Sequence, residues 1–377
     1  MNILFVVGSW PNFYTTYLFH EVAWLASKGH YVNVVSLKQE EFANAADPSI
    51  FGVEHIPVVQ LREANAAPII ELVRRNQIQV AYAYGARGPA ELALHLHHEI
   101  GLPYSLRLLG GEVHSHPSPS LGEMTQFASA LCPMSQFLAD VLLRQRPIEE
   151  LPPGLPEKVD PSKVHVCPNG VPSHILADRP ARQSDEKIAI GTIGRLSPAK
   201  RQRDLLEAVA DLVPDFPGLS LHVIGGGEME DDLHRHARDL GIAGRTTITG
   251  ATSWPETLRL AAELSIYVQT SEKEGFCSAT IDAASQGLPL ILSRTGGHEE
   301  CVIPGSNGYL FDAGDLPTLR RHLHTLLSAG SRARTAMGAA SLNVVRDKFL
   351  LDITMRKIEN VLLRTLEARP SQAVNSL

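Results

Sequence analysis

Short apolar runs alternate with amphipathic stretches along almost the whole chain. In the first half, the strand-like runs are NILFVV, YVNVVSL, VEHIPVV, IQVAYAY, YSLRLL and VHVCP. Helix-like segments lie between them, such as YTTYLFHEVAWLASKG, in which Leu18, Val22 and Leu25 share one face and Gly29 is placed to end the helix. This alternation predicts a parallel sheet that is covered by helices on both faces.

The pattern pauses and then restarts, which predicts two domains. The segment PSHILADRPARQSDEK has no apolar period and is typical of a linker. The strand-like runs IAIGTIG, LSLHVIGGG, TTITG, LSIYVQTS, LPLILSR and GYLFD follow it. We therefore predict an α/β chain with two doubly wound, Rossmann-like domains that face each other across a cleft, at residues 1–172 and 187–345. A last helix at 350–368 is expected to pack back toward the first domain. Ligands of such sheets bind beyond the carboxyl ends of the strands.

Charge and composition exclude several classes of function. The 377 residues are 44% hydrophobic and 20% charged, which is ordinary for a globular protein. A formal net charge of −7 disfavours a general nucleic-acid binder, which needs a basic face to replace counterions. We therefore expect no nucleic-acid partner.

The cysteines and the apolar runs indicate a cytoplasmic protein. None of the four cysteines forms a C-x-x-C pair, so neither a disulfide framework nor a zinc knuckle is indicated. The start MNILFVVGSWP is typical of a first strand and not of a signal peptide, and no apolar stretch is long enough to span a membrane. Arg74, Arg75, Arg144 and Arg146 leave peripheral membrane contact open, although solvated arginines are the commoner case.

The segment EKEGFCSATIDAASQG carries the strongest chemical signal. It follows the run LSIYVQTS, and a helix is predicted to begin near Ser278, capped by that hydroxyl. The free backbone N–H groups of Phe276, Cys277 and Ser278 would then form an anion site. Glu274 lies in the loop, and Asp282 lies about one turn into the helix. Carboxylates on both sides of an anion site suit a sugar nucleotide, which has hydroxyls on both sides of its diphosphate; taken alone, they are more often solvated or capping residues.

Two further segments supply candidate ligand-binding groups: one has two cationic side chains, and the other has two glycines that allow the backbone to approach a ligand. Arg195 and Lys200 of GTIGRLSPAK follow the first strand of the second domain, where two cations suit a diphosphate leaving group. In TGGHEE, Gly296 and Gly297 allow the backbone to approach a ligand closely, and the following acid can bind a neighbouring helix or a sugar. Each signal alone also fits an ordinary surface loop or turn.

The remaining motifs concern metal and the first domain. The chain has no Asp-x-Asp pair to hold Mg²⁺, so Arg195, Lys200 and helix dipoles are expected to replace a metal. Gly8 ends the first strand as in dinucleotide-binding folds, but G-x-G-x-x-G is absent, which disfavours an oxidoreductase. His114 or His116 of GGEVHSHP is a candidate catalytic or acceptor-binding group.

In combination, these motifs resemble a known family. The set VGSWPNFYTTYLFHEVAWLASKGHYVNVVSL, VHVCPNGV, GTIGRLSPAK and EGFCSATIDAASQGLPLILSRTGGHEECV is similar to the retaining glycosyltransferases of family 4 (glycosyl transferases group 1), in the family's order and over nearly the whole chain. The resemblance implies the GT-B fold, with an acceptor-side first domain and a nucleotide-sugar-binding second domain.

The resemblance also implies roles for individual residues. Arg195 and Lys200 match the pair that binds the donor diphosphate, Glu274 matches the acid that contacts the sugar hydroxyls, and Asp282 matches the acid that holds the ribose. The remaining matches are the glycine pair and acid after the next strand and the glycine loop near the diphosphate and acceptor, namely Gly296, Gly297, Glu300 and Gly8.

Three departures from the family pattern stand out. Asp282 replaces a glutamate and is shorter by one methylene. Cys277 replaces a small glycine, and a thiol at a helix N-terminus can be unusually reactive. Leu109 falls where relatives often have a histidine and Glu112 where they have an aspartate, so a nearby group such as Glu112, His114 or His116 takes over that role or the site is reorganised.

The expected function is therefore a cytoplasmic, metal-independent, retaining glycosyltransferase. It would move a hexose-type sugar from a UDP- or GDP-linked donor to the hydroxyl of a saccharide or lipid-linked saccharide acceptor, in polysaccharide or glycoconjugate biosynthesis. No cofactor is expected besides this donor substrate. The residues expected to act in catalysis are Glu274, Arg195, Lys200 and His114. The alternatives are a GT-B sugar-nucleotide epimerase and a non-catalytic sugar-nucleotide-binding paralogue.

Overall fold

The structure, a computed structural model, describes residues 1–10, 16–38, 47–61, 66–110, 120–146, 154–155, 157–176 and 185–367. It divides into two units, each built around its own parallel sheet. The first domain comprises Met1–Pro168 and Asp352–Leu377, and the second comprises Asn169–Leu351. The division thus falls within the PNGV segment, ahead of the polar stretch that the sequence marks as a linker.

The first domain is a parallel sheet flanked by helices, because its strands are apolar runs separated by amphipathic segments. Within the described residues, the sheet has six strands in the order β3-β2-β1-β4-β5-β6. The strands are β1 (Asn2–Ser9), β2 (Tyr31–Lys38), β3 (Val58–Gln60), β4 (Val80–Tyr84), β5 (Tyr104–Leu108) and β6 (Ala130–Pro133). The helices are α1 (Tyr17–Ser27), α2 (Ala67–Arg75), α3 (Pro89–Ile100), α4 (Leu121–Phe127) and α5 (Gln136–Leu142), with short 3₁₀ turns at Pro48–Phe51 and Pro161–Lys163.

The sequence misplaces one strand of this sheet. The predicted strand VHVCP is wrong: Val164 makes a single bridge to Leu131, while the sixth strand is Ala130–Pro133. The segment lies beside β6, where the backbone N–H of Cys167 donates to the carbonyl of Pro133. The buried guanidinium of Arg107 donates to the Cys167 carbonyl, which fixes the chain where it leaves the first domain. Of the run VEHIPVV, only Val58 and Val59 lie in a strand, the three-residue β3.

The second domain repeats the architecture, with each strand inside a predicted run. Within the described part of the chain, the order is β12-β11-β10-β7-β8-β9. The strands are β7 (Ile188–Ile193), β8 (Leu219–Ile224), β9 (Thr246–Ile248), β10 (Ile266–Gln269), β11 (Leu290–Ser293) and β12 (Gly308–Phe311). The helices are α6 (Gln202–Leu212), α7 (Glu230–Asp239), α8 (Trp254–Ala262), α9 (Ser278–Ser285), α10 (His298–Cys301), α11 (Leu316–Ser328) and α12 (Gly330–Lys348), with 3₁₀ turns at Ser173–Ile175, Pro198–Lys200 and Ala243–Arg245. The predicted α/β class with two Rossmann-like domains is confirmed.

The last helix, α13 (Leu351–Glu367), belongs almost entirely to the first domain. The indole Nε1 of Trp24 on α1 donates to Oδ1 of Asp352 at 2.7 Å. Farther along the helix, the hydroxyl of Thr365 lies 2.8 Å from that of Ser105 on β5. The C-terminal segment therefore completes the helical layer of the first domain.

Candidate functional site

The predicted site residues of the second domain gather where the strand order of its sheet reverses. The chain leaves β7 toward β8 on one side, whereas β10, β11 and β12 lie on the other side. The loops that follow β7 and β10 therefore begin side by side, and the chain continues from them in opposite directions along the sheet. Open α/β sheets bind ligands at such a point. Arg195 and Lys200 follow β7, and Glu274 follows β10.

Lys200 and Glu274 form a close ion pair in this position. The Lys200 ammonium lies 2.5 Å from Oε1 of Glu274, and the Ser271 hydroxyl donates to the same oxygen at 2.7 Å. Glu274 is only 7% exposed. Burial alone would raise the pKa of Glu274, but Lys200, the nearby His298 and these hydrogen bonds hold the pKa below its ordinary value. Glu274 is therefore a carboxylate at neutral pH, and its chemistry is that of a hydrogen-bond acceptor.

The same pair holds the lysine in its charged form. Burial alone would lower the pKa of Lys200, but the Glu274 carboxylate raises it above the ordinary value. Lys200 is thus a cation held beside a buried anion. Its side chain keeps 21% of its exposure, so it is the member of the pair that contacts solvent.

A chain of buried hydrogen bonds orients the Glu274 carboxylate from the sheet side. Thr192 of β7 and Tyr267 of β10 both donate to Oε1 of Gln269, at 3.1 and 2.9 Å. The amide of Gln269 donates to the Ser271 hydroxyl at 2.9 Å, and that hydroxyl donates to Glu274. These four polar side chains, which lie inside an apolar sheet, thus form one hydrogen-bonded chain that ends at the Glu274 carboxylate.

Backbone contacts also fix the two loops against each other. The Thr270 hydroxyl donates to the carbonyls of Lys200 and Arg201, at 2.8 and 2.9 Å. The backbone N–H of Glu272 donates to the carbonyl of Ala199 at 2.8 Å. Lys200 and Glu274 therefore meet on loops whose backbones are already joined, which preorganises the pair.

The glycine pair of TGGHEE supports the loop that carries Glu274. Gly296 has φ of +53°, and a Cβ placed on it would lie 1.9 Å from the backbone oxygen of Glu274. The N–H of Gly297 donates to the carbonyl of Gly275 at 3.2 Å. The glycine pair thus packs against the neighbouring loop, and its predicted approach to a ligand stays a prediction.

His298 is a residue of this site that the sequence analysis missed. It follows the glycine pair as the first residue of α10 and is fully buried. Its Nδ1 donates to the carbonyl of Ser293 at 2.8 Å, whereas its Nε2 has no hydrogen-bond partner among the described residues. One ligand atom each from His298, Glu274 and Cys277 lie within 4.8 Å of one another. Burial lowers the pKa of His298, so the ring is neutral.

The start of α9 differs in detail from the prediction. The helix begins at Ser278 as expected, but the cap position is Cys277, which makes no side-chain cap. The Ser278 hydroxyl instead receives a 2.6 Å hydrogen bond from the Asn169 side chain, so the predicted hydroxyl cap is wrong. Phe276 is buried, with its ring 5.4 Å from that of Phe349.

Cys277 has a strained backbone conformation and an unreactive thiol. It has φ of 37°, in the left-handed region that favours glycine. Burial and the Glu274 carboxylate raise the pKa of its thiol to about 11, with partial compensation by Lys200. The expectation of an unusually reactive thiol is therefore wrong, because too little thiolate is present at neutral pH.

Asp282 occupies a different environment from Glu274. It is half-buried on α9, and the indole Nε1 of Trp254 donates to its Oδ1 at 3.3 Å. Burial raises the pKa of Asp282 to about 7, and the Trp254 hydrogen bond lowers it only in part. The two acids therefore differ in charge near neutral pH, since Glu274 has a cation beside it.

The other predicted site residues are more dispersed. Arg195 is exposed just beyond β7, and its carbonyl accepts from the Gln202 side chain at 2.9 Å. Glu300 is partly exposed on α10, and Leu109 directly follows β5. Gly8 lies in β1 of the first domain, where a Cβ added to it would meet open space. His114, together with Glu112 and His116, lies outside the described residues.

Residues 176–343 match the family model described as glycosyl transferases group 1. This part of the chain, which lies within the second domain, is therefore similar to the group 1 glycosyltransferases. The chain is 30% identical over 168 residues to the lipopolysaccharide core biosynthesis glycosyltransferase LpsE of Rhizobium meliloti, which covers 42% of this chain and 47% of that protein. It is 27% identical over 289 residues to a GDP-mannose-dependent α-(1-6)-phosphatidylinositol monomannoside mannosyltransferase of Mycolicibacterium smegmatis, which covers 72% of this chain and 69% of that protein. The matches thus span about half of the first relative and about two thirds of the second.

Solved structures show the same fold over nearly the whole chain. Anabaena HepE, in complex with UDP, superposes with a TM-score of 0.77 at 20% identity over 97% of this chain and 100% of its own. Sucrose-phosphate synthase from Thermosynechococcus elongatus gives a TM-score of 0.78 at 15% identity over 98% of this chain and 100% of its own. These likenesses establish the GT-B fold. Among the described residues, no helix combines the length and apolarity needed to cross a membrane.

Proposed function

We propose that this chain is a metal-independent, retaining glycosyltransferase of family 4. It transfers a hexose-type sugar from a nucleoside-diphosphate sugar, UDP- or GDP-linked, to an acceptor hydroxyl in polysaccharide or glycoconjugate biosynthesis. The observation that carries this proposal is the Lys200–Glu274 pair, which lies where the strand order of the second domain reverses, with Arg195 earlier in the same loop as Lys200.

The chemistry of these groups supports a sugar-nucleotide donor. Arg195 and Lys200 supply positive charge where negative charge grows on a departing diphosphate. Glu274, kept ionised, accepts hydrogen bonds from sugar hydroxyls. Asp282, on the helix that follows, is proposed to bind the ribose hydroxyls. Its pKa of about 7 lets it accept or donate a hydrogen bond near neutral pH.

The names of related proteins agree with this choice of substrates. The Mycolicibacterium smegmatis relative is named as GDP-mannose-dependent, and HepE is known in complexes with UDP and with UDP-glucose. LpsE is named for lipopolysaccharide core biosynthesis, which supports a saccharide or lipid-linked saccharide acceptor. Both nucleotides therefore enter the donor screen.

The mechanism that we propose requires no protein nucleophile. The acceptor hydroxyl attacks on the face from which the diphosphate departs, and an oxygen of the leaving group takes the proton. The second domain then contributes positioning and charge stabilisation. His114 is proposed as an acceptor-side group. Peripheral membrane contact through Arg74 and Arg75, in the last turn of α2, remains part of the proposal.

The test begins with a donor screen and then removes the ion pair. Thermal shift against common sugar nucleotides should show selective stabilisation by the true donor. Lys200→Ala and Glu274→Ala should each lower acceptor-dependent release of nucleoside diphosphate at least about tenfold, roughly 1.4 kcal/mol of transition-state stabilisation. Lys187→Ala and Glu228→Ala change exposed residues of the same domain and are the matched controls.

The outcomes separate the proposed activity from its alternatives. Release of nucleoside diphosphate only when acceptor is present supports a transferase and excludes an epimerase. Donor binding without turnover on any acceptor extract supports a non-catalytic paralogue. Full turnover in both ion-pair variants contradicts the assignment of the site.

A further inference from the structure

We propose that Glu274, Cys277 and His298 form a binding site for a soft divalent transition metal ion, with Zn²⁺ as the best fit. Their ligand atoms lie within 4.8 Å of one another, and all three residues are buried. A carboxylate, a thiol and an imidazole are the ligand types that zinc takes in proteins, and a thiol excludes Mg²⁺ and Ca²⁺.

The orientation of His298 is the observation that points to a ligand. Its Nδ1 donates to the Ser293 carbonyl at 2.8 Å, which leaves Nε2 as the ring nitrogen available to the cluster. That Nε2 is buried without a hydrogen-bond partner among the described residues. Metal-binding histidines are held in this way, with one ring nitrogen on a backbone carbonyl and the other free for the metal.

Distances and charge are compatible with a bound ion. Tetrahedral zinc with ligand bonds of about 2.1–2.3 Å needs ligand atoms roughly 3.5 Å apart. The atoms of this cluster lie within 4.8 Å of one another, so the contraction needed is at most about 1.3 Å. Zn²⁺ with the Glu274 carboxylate and a Cys277 thiolate is electrically neutral. The neighbouring Lys200 ammonium therefore opposes the complex little, and the proton released from the thiol passes to solvent.

The position of the cluster makes the ion a blocking ligand. Glu274 binds the Lys200 ammonium through Oε1 in this structure, and the metal would bind the same carboxylate group. Under the proposed function, Glu274 receives the sugar hydroxyls of the donor, so zinc and donor exclude each other. This second statement rests on the proposed function, whereas binding of the metal does not. The reaction itself stays metal-independent.

Cobalt titration of the full-length, chelator-treated protein tests the site directly. We expect one Co²⁺ per chain, a thiolate-to-cobalt charge-transfer band in the near ultraviolet, and loss of the band when Zn²⁺ is added. Cys277→Gly should abolish the band, and His298→Gln should weaken zinc binding at least about tenfold. Glycine suits the positive φ of residue 277, so loss of binding in that variant does not reflect misfolding.

Cys301→Ser is the matched control, because Cys301 is also buried on this domain but lies outside the cluster. It should keep the band. Absence of saturable metal binding in the unmodified protein, or an unchanged band in Cys277→Gly, overturns the proposal.

Donor binding, measured by thermal shift with and without Zn²⁺, separates this proposal from the proposed function. Zinc should weaken donor binding in the unmodified protein, and the donor affinity of Cys277→Gly, whatever its metal-free value, should not respond to zinc. Metal binding with no donor binding to any sugar nucleotide contradicts the proposed function and leaves the metal site standing. Donor and zinc that bind independently overturn the blocking role.

Discussion

Gly296→Ala is a sharp test of how the sequence builds this site. The change adds one methyl group, and nothing else, at a position where the backbone has φ of +53°. The new Cβ would lie 1.9 Å from the backbone oxygen of Glu274 and 2.6 Å from its carbonyl carbon. Both contacts are shorter than any real Cβ makes, and both partners are backbone atoms that cannot rotate away.

The magnitude follows from two costs. A left-handed conformation costs a non-glycine residue about 1–2 kcal/mol. The clash is relieved only if the loop that carries Glu274 moves. Overpacking of this kind costs typically about 1–3 kcal/mol. We therefore expect Gly296→Ala to lower the free energy of unfolding by about 2–5 kcal/mol. Because the atom displaced belongs to Glu274, donor affinity should also fall, by about tenfold or more for one charge-assisted hydrogen bond.

The assay compares three alanine variants of glycines in the second domain. Gly218→Ala creates an equal clash, 1.9 Å from the carbonyl oxygen of Glu186 at the opposite end of the strands, whereas Gly244→Ala adds a Cβ into open space. Denaturant unfolding of the full chain should show losses for Gly296→Ala and Gly218→Ala and little change for Gly244→Ala. In a donor titration, Gly296→Ala should be the one of these three variants whose donor affinity falls.

Two results would refute the reasoning. A Gly296→Ala protein as stable as the unmodified chain would show that the loops do not pack as closely as described. Equal donor affinity in Gly296→Ala and Gly218→Ala would show that the Glu274 loop does not position a donor ligand.

Two further predictions concern Cys277, at the cap position before α9, and Asp282 within that helix. Cys277→Gly should unfold with about 1 kcal/mol more free energy than Cys277→Ala, because only glycine relieves the left-handed conformation at φ of 37°; equal stability in denaturant unfolding would contradict the strain. Asp282→Asn tests a carboxyl whose folded pKa, about 7, lies above the ordinary value of 3.8. The folded state retains this proton longer, so its contribution to stability is present at low pH and lost as pH rises through that window. Stability of the asparagine variant relative to the unmodified chain should therefore rise between pH 5 and pH 8, by at most about 3 kcal/mol for a half-buried group, and a pH-independent difference would contradict the assigned pKa.

The fold was readable from the sequence wherever a strand is long or buried on both faces. The runs that became β1, β4 and β7 are almost continuous apolar segments, which is typical of parallel strands under two helical layers. The strand Ala130–Pro133 was missed because four residues carry no period. The rival run VHVCP has as many apolar residues, and its backbone bonds to β6 are not visible in its composition.

The candidate site was readable as a set of residues but not as a set of contacts. The topology of a doubly wound sheet predicts that the loops after β7 and β10 lie together. It does not predict that Lys200 bonds to Glu274, because that contact depends on side-chain rotamers across 74 positions of sequence. His298 was missed for a related reason: a histidine in a glycine-rich loop is ordinarily exposed, and its burial follows from the packing of Gly296 against the 274 loop.

The ion pair also keeps the proposed site in one conformation without a ligand. An unpaired buried carboxylate at Glu274 would cost several kcal/mol, roughly 3–5 when one partner of a buried pair is removed, so Lys200 is needed for the loop to hold its shape. A diphosphate that approaches Arg195 and Lys200 competes with Glu274 for the same ammonium, and hydroxyls of the attached sugar can replace the bonds that Glu274 loses. A free diphosphate offers no such hydroxyls, so the Glu274 carboxylate would lack hydrogen-bond donors. The proposed site should therefore favour the intact donor over its diphosphate product, which promotes product release after transfer.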